Sequence, residues 1–221
     1  MKEYWSFSEA TERYAPSPTP GDWTGALALW EQGLVSQAKF HISPSSLDDV
    51  LLSETPLLMV SDGGARPHLE TGSFGWVLAT ADQELVTCHG HVTGYPISSF
   101  RCEAIARLGG LVFLSHYCSH KNVRCTLTTY TDSKSVLQTE ETILRHSGLF
   151  PGLVLGSDSD AFLALRDIHA SLPWANVRSL HVKGHQDRHK DYHTLSLPSQ
   201  LNVIADRLAT RVLDELESSA T

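Results

Sequence analysis

The feature that most restricts what this chain can fold into is a change of texture at Pro56. Downstream of it, residues 57–61, 74–80 and 85–92 are short apolar or alternating runs separated by Gly- and Asp-containing turns, which predicts three strands in an antiparallel meander. From about residue 99 the pattern becomes alternating helix and strand. Residues 99–117 keep Ile105, Leu108, Leu111 and Leu114 on one helical face, a strand is expected at 123–131 and a helix at 133–144. A Gly/Pro-rich loop at 147–157 then leads to a helix at 158–171, a strand at 177–182, a polar loop, and a last helix at 198–216 with Leu201, Ile204, Leu208 and Val212 apolar. Three antiparallel strands followed by two parallel ones predict an α/β chain, a mixed five-stranded sheet flanked by helices.

Residues 1–55 differ, and are expected to form an N-terminal Trp-containing helical extension to a domain spanning 56–221. They hold a proline-rich turn (Pro16, Pro18, Pro20), a helix-like run at 23–39, a Ser/Pro break at 43–46 and a short segment ending at Pro56. Three of the five tryptophans (Trp5, Trp23, Trp30) lie there, and exposing three indoles is costly, so the segment is expected to pack on the following domain or on a partner. At 221 residues, 41% hydrophobic and 19% charged, the chain is long enough for one well-buried domain plus such an appendage, which excludes disorder, collagen and coiled coil. Its apolar runs are far shorter than the roughly 18 residues of a membrane span, and residues 1–10 lack the apolar core of a signal peptide. The expectation is an intracellular, non-secreted protein of cytoplasm or nucleus that makes no membrane contact. Cys88, Cys102, Cys118 and Cys125 show no paired spacing and read as free thiols in a reducing compartment.

Four acids stand where a carboxylate is structurally inconvenient. Asp62 and Asp132 follow the apolar runs 57–61 and 127–131, at the carboxyl ends of predicted buried strands, the edge at which open α/β sheets bind ligands. Glu103 falls in the first turns of the helix after the meander, opposite a solvent-like Arg101, and Asp206 interrupts the apolar stripe between Ile204 and Leu208. Several anions share a site only when cations neutralise them, and oxygen-only ligands suit Mg²⁺, with Mn²⁺ able to substitute. Four carboxylates around two ions about 3.5 to 4 Å apart suit in-line phosphoryl displacement, one ion activating water and the other stabilising the leaving oxygen. The charge distribution agrees. Of the net charge of −8, residues 1–55 carry −5 and residues 56–221 only −3, which two Mg²⁺ would turn into about +1, so a phosphate backbone is not repelled.

The ordered set Ser61-Asp62-Gly63-Gly64, Arg101-Cys102-Glu103-Ala104, Thr131-Asp132-Ser133-Lys134, Lys183-Gly184-His185 and Asn202-Val203-Ile204-Ala205-Asp206 resembles the type 1 ribonuclease H family. It looks most like the ribonuclease H domain attached to retroelement reverse transcriptases, over residues 57 to about 216. The resemblance implies a ribonuclease H-like fold and endonucleolytic cleavage of the RNA strand of RNA/DNA hybrids, leaving a 5′-phosphate. It implies that Asp62, Glu103, Asp132 and Asp206 hold two Mg²⁺ ions and that His185, on a mobile loop, assists product release or proton movement. Gly63, Gly64, Ser99, Phe100, Arg101, Ser133 and Asn202 are the expected substrate contacts, and a fused or associated reverse-transcriptase polymerase domain is a further expected partner. The oligomeric state is left open.

The sequence also departs from that family. Ser99 and Phe100 stand where cellular members carry two amide side chains, which shifts RNA recognition toward backbone groups near 62–64 reaching 2′-hydroxyls. Residues 139–173 lack a basic protrusion, and the long loop after His185 adds Arg188, His189, Lys190 and His193 as alternative phosphate contacts. His181, His185, His189 and His193 recur every fourth residue, a zinc-capable stripe only on a helix, which Gly184 and the neighbouring strand pattern disfavour. Two alternatives remain open: another nuclease of the same fold, such as an exonuclease or junction resolvase, and a non-catalytic hybrid-binding module.

Overall fold

The computed structural model describes residues 23–146, 154, 156–170 and 174–220. Trp5, the proline-rich turn and most of the 147–157 loop lie outside the described residues. A 3₁₀ turn at Trp23–Ala26 leads into α1 (Leu29–Val35), β1 (Lys39–Phe40) and α2 (Pro44–Leu52). The expected helix over 23–39 is therefore broken. Lys39 and Phe40 are drawn out of it to pair antiparallel with Thr87 and Val86 at the sheet edge, tertiary pairing overriding local propensity. The Ser/Pro break is a helix start: Ser43 Oγ accepts from Ser46 N at 3.0 Å and Pro44 takes the first helical position, where its missing N–H costs nothing.

The meander follows as β2 (Leu57–Arg66), β3 (Thr71–Ala79) and β4 (Glu84–His91), then α3 (Ser99–Lys121), β5 (Cys125–Thr131), α4 (Lys134–Arg145), α5 (Ser159–Ala170), β6 (Trp174–His181) and α6 (Leu197–Ala220). The strand order is β1-β4-β3-β2-β5-β6, with the last two pairings parallel. The sheet thus has six strands rather than the expected five, because the two-residue β1 joins the edge of the meander. The class is α/β, as expected.

One sheet face carries the main core and α3. That helix is buried almost all round, from Arg101 to Leu114 without interruption, rather than along one stripe. The reason lies outside it: α1 and α5 cover the sides turned from the sheet, and Trp23 sets its indole edge against Phe113 (5.3 Å between centroids) and Tyr117 (5.8 Å). The opposite face is covered by α6, through Leu201 and Ala205 on Val60, Val77 and Ala79.

Candidate active site

β2 does not end at Asp62. Gly63 and Gly64 stay in the ladder opposite Phe74 and Ser73, so Asp62 sits within the strand, not at its carboxyl end. Gly63 is required for a different reason than a turn: a Cβ there would run into the backbone of Cys102 and Glu103, so its absence lets α3 press on the strand and brings Glu103 to Asp62. On the other side, the parallel pairing of β2 with β5 ends at Val60 opposite Tyr130. Two residues further on each strand come Asp62 and Asp132. The register that pairs the strands therefore sets the two acids side by side where the sheet splays open.

Asp62, Glu103 and Asp132 each offer a carboxylate oxygen, all within 4.8 Å of one another. Asp62 and Glu103 are buried and Asp132 is half-buried. Thr131 Oγ1 donates to Glu103 Oε2 at 3.3 Å from inside the cluster. Asp206, on α6, stands outside this group and is one-third exposed, but its charge reaches Asp62. Burial, then the charges of Asp132 and Asp206, raise the Asp62 pKa to about 7. Burial and the charges of Asp62 and Asp132 likewise hold Glu103 well above the usual carboxylate range. Three of the four expected acids thus gather tightly and the fourth faces them from the opposite layer.

These residues fit a divalent cation. The donor set is all oxygen, the mutual repulsion needs a positive charge to relieve it, and Asp62 Oδ2 is buried with no hydrogen-bond partner, an acceptor left over for a ligand. His185 holds a left-handed conformation (φ 49°) that turns the chain back after Gly184, and its Nδ1 lies 3.7 Å from Asp206 Oδ2 with the ring about half exposed. Gly184 backs directly onto Asp132, whose Oδ2 occupies the space a Cβ would need. The four spaced histidines form no helical stripe, since His181 ends β6 and bonds to the Asp132 carbonyl oxygen through Nε2 at 3.1 Å.

The expected substrate contacts are placed unevenly. Ser99 is exposed on the first turn of α3. Phe100 is half-buried, packs on Phe162 at 5.3 Å and walls a groove of about 410 Å³ between α3, α4 and α5. Ser133 is the N-cap of α4, accepting from Val136 N at 3.5 Å. Gly64 abuts Leu213 of α6, and Asn202, one turn before Asp206, is buried with its Oδ1 unpartnered. Arg101 requires a correction. It is 1% exposed, not solvent-like, and its guanidinium is taken up by Asp160 (2.8 and 2.6 Å), Asp158 (3.4 Å) and the Thr93 carbonyl (3.0 Å), tying α3 to the start of α5. Nothing in the periodicity of 99–117 separates an ion-paired arginine from a solvated one. Thr131, Gln186 and Ser199 were not found from sequence either. Thr131 carried a signal, a hydroxyl buried beside an acid; Gln186 and Ser199 carried none.

No protein-family model matches this sequence, and no curated protein matches it. Among solved structures, the chain is similar to LC11 ribonuclease H1 in complex with an RNA/DNA hybrid, at 16% identity and TM-score 0.53 over 72% of this chain and 98% of that one. A second structure of LC11 ribonuclease H1, isolated from compost by a metagenomic approach, gives a TM-score of 0.51 at 16% identity, over 73% and 98% of the two chains. The protease-reverse transcriptase of prototype foamy virus matches at 17% identity and TM-score 0.50, over 71% of this chain but 20% of the viral one. Likeness at these identities establishes the fold, a ribonuclease H-like α/β fold.

Proposed function

We propose that this chain is a Mg²⁺-dependent endonuclease that hydrolyses the RNA strand of RNA/DNA hybrids and leaves a 5′-phosphate, of retroelement origin and intracellular. The observation that carries the reading is the convergence of Asp62, Glu103 and Asp132 within 4.8 Å, from a strand, a helix and a strand end, with Asp206 facing them. A domain that only bound nucleic acid would gain nothing from a buried cluster of like charges that repels phosphate. The hybrid bound to LC11 ribonuclease H1 supports the substrate class, and the foamy-virus match supports a polymerase domain as fused or associated partner.

In this reading Asp62, Glu103, Asp132 and Asp206 hold two Mg²⁺ ions, with Mn²⁺ able to substitute. Bound there, the ions supply charge for activating water and for the departing oxygen of an in-line displacement. The protein's own work is geometric. Thr131 fixes Glu103 by its hydroxyl, Gly63 lets α3 approach, and the β2–β5 register sets the spacing of Asp62 and Asp132. His185, at the lip beside Asp206, is placed to take or return a proton as product leaves. Residues 56–221 form the catalytic unit and residues 1–55 an accessory segment. Among the described residues no helix is long and apolar enough to cross a membrane.

The test is an end-labelled RNA/DNA hybrid beside duplex DNA and duplex RNA, with Mg²⁺, Mn²⁺ or chelator, and Asp132→Asn in parallel. Metal-dependent cuts confined to the RNA of the hybrid and lost in the variant are expected. Cutting of duplex DNA, or equal cutting by the variant, would overturn the reading.

A further inference from the structure

We infer that the loop from Lys183 to Lys190 is a phosphate-backbone grip for the nucleic-acid substrate, built onto α6 at the lip of the acid cluster. The inference rests on the hybrid-hydrolase reading and adds to it where the substrate is held.

The first observation is how the cations are distributed. In a chain of net charge −8, positive side chains are scarce, and many are already consumed by carboxylates. Arg66 is taken by Asp214 and Glu217, Arg101 by Asp158 and Asp160, Arg107 by Glu140 and Arg211 by Glu215. Lys183, Arg188 and Lys190 are exposed, and among the described residues none of the three has an ion-pair partner; His189 is exposed between the last two. Of the loop's two acids, one is already engaged by a cation and the other serves as a turn cap, leaving the loop net positive. Asp187 faces Arg207 at 3.9 Å, and Asp191 Oδ1 accepts the His193 backbone N–H at 2.9 Å.

The second observation is that this loop is held in place. Gln186 Nε2 donates to the Lys183 carbonyl at 3.0 Å and to Ser199 Oγ at 2.7 Å, and Ser199 is buried in the first turn of α6. Arg207, one turn up the helix face from Val203, spans to Asp187 and lies 5.8 Å over the Tyr192 ring, and Leu195 of the same loop is buried. A loop so fastened carries its cations close along the chain to the acids: Gly184 abuts Asp132 and His185 faces Asp206, and Lys183 and Arg188 lie within three residues of those contacts. Cations held open and unneutralised beside a phosphodiester-hydrolysing centre fit a polyanionic backbone. They meet phosphate, which carries no base sequence, so the grip supplies affinity rather than sequence preference.

The full-length chain and Arg188→Ser/Lys190→Ser are compared for binding a fluorescent RNA/DNA hybrid in chelator across a salt series, and for cleavage in Mg²⁺. The double variant is expected to make the slope of log affinity against log salt shallower by about two. Its loss of cleavage is expected in KM rather than kcat, with the melting temperature of wild type. Lys183→Ser alone is expected to reduce the slope by about one. If the wild type cleaves hybrid but the variants keep its salt slope and KM, the grip is wrong and the hydrolase reading stands. If the wild type neither binds nor cleaves hybrid, both fall.

Discussion

Asp62 lies buried with one carboxylate oxygen unpartnered and a pKa raised to about 7, because burial and two neighbouring carboxylates oppose its charge. A residue in that position weakens the metal-free fold when ionised and, in the proposed reading, serves the metal-loaded site. Asp62→Asn should therefore raise the melting temperature in chelator, by about 2–4 °C for each kcal/mol of repulsion removed, abolish the stabilisation added by Mg²⁺, and lower hydrolysis by about 100-fold or more. Differential scanning calorimetry and a cleavage assay on the same preparation check this; a lower melting temperature would refute the account. Gln186 gives a second residue-level prediction. If its bond to Ser199 matters by placing His185, Gln186→Ala slows turnover in the wild-type background and adds little to His185→Ala. Additive losses would assign Gln186 a role of its own. The acids are legible in sequence because a carboxylate inside an apolar stripe, or directly after an apolar run, is conspicuous; that β2 continues past Asp62 is not, since the two glycines after it read as a turn. Gln186 is not legible, since a polar residue on a polar loop announces no partner.

At the scale of elements, what locks α3, α4, α5 and β6 together is a buried polar network. Arg107 Nε reaches both Glu140 oxygens at 2.9 Å, Arg107 Nη2 reaches Ser179 Oγ at 2.5 Å, and His169 Nε2 reaches Glu140 Oε1 at 2.7 Å. Burial alone would raise the Glu140 pKa, but the Arg107 charge and the bonds from His169 and Arg107 outweigh it and hold it at about 2. A folded pKa below the ordinary value of 4.5 means stability fully present above pH 4.5 and lost as pH falls toward 2. Glu140→Gln should cost about 3–5 kcal/mol at neutral pH, since it leaves Arg107 buried and uncompensated. It should also flatten the acid limb of the stability curve between pH 4.5 and 2, as urea melts across pH would read. The elements themselves were mostly legible, with bounds within a few residues. Those that are not are β1 and α2: β1 exists only because β4 offers an edge, and Ser43-Pro44, which resembles a break, is a cap followed by the first turn of α2.

For the molecule as a whole, the question is whether residues 56–221 stand alone, and the packing of the preceding segment argues against it. α3 is buried on the side that α5 leaves open because α1 and Trp23 pack there, with Leu27, Leu34, Val35, Leu47 and Leu51 buried in the same core. The contact is also polar at its centre. Trp76, fully buried in β3, donates its indole N–H to the Leu34 carbonyl at 3.3 Å, and Cys88 Sγ reaches the same oxygen at 3.5 Å. Tyr117 and Lys121 at the far end of α3 both bind Asp48, at 2.9 and 2.7 Å. Removing the segment would expose an apolar helix face and orphan a buried donor, the latter alone costing about 1–3 kcal/mol. The apolar part is larger, since each buried leucine lost from a core is worth about 2–5 kcal/mol, and a domain of ordinary stability has about 5–15 in all. Residues 56–221 expressed alone should therefore bind a hydrophobic dye and melt without a cooperative transition, while Leu47→Ala in the full chain should lower stability by about 2–5 kcal/mol and keep cleavage specificity. The acid cluster lies on the sheet at the opposite end of α3 from Tyr117 and Asp48, so the loss should appear as instability and not as altered chemistry. A truncated chain that melts cooperatively would show that the accessory segment only shields a core already complete without it.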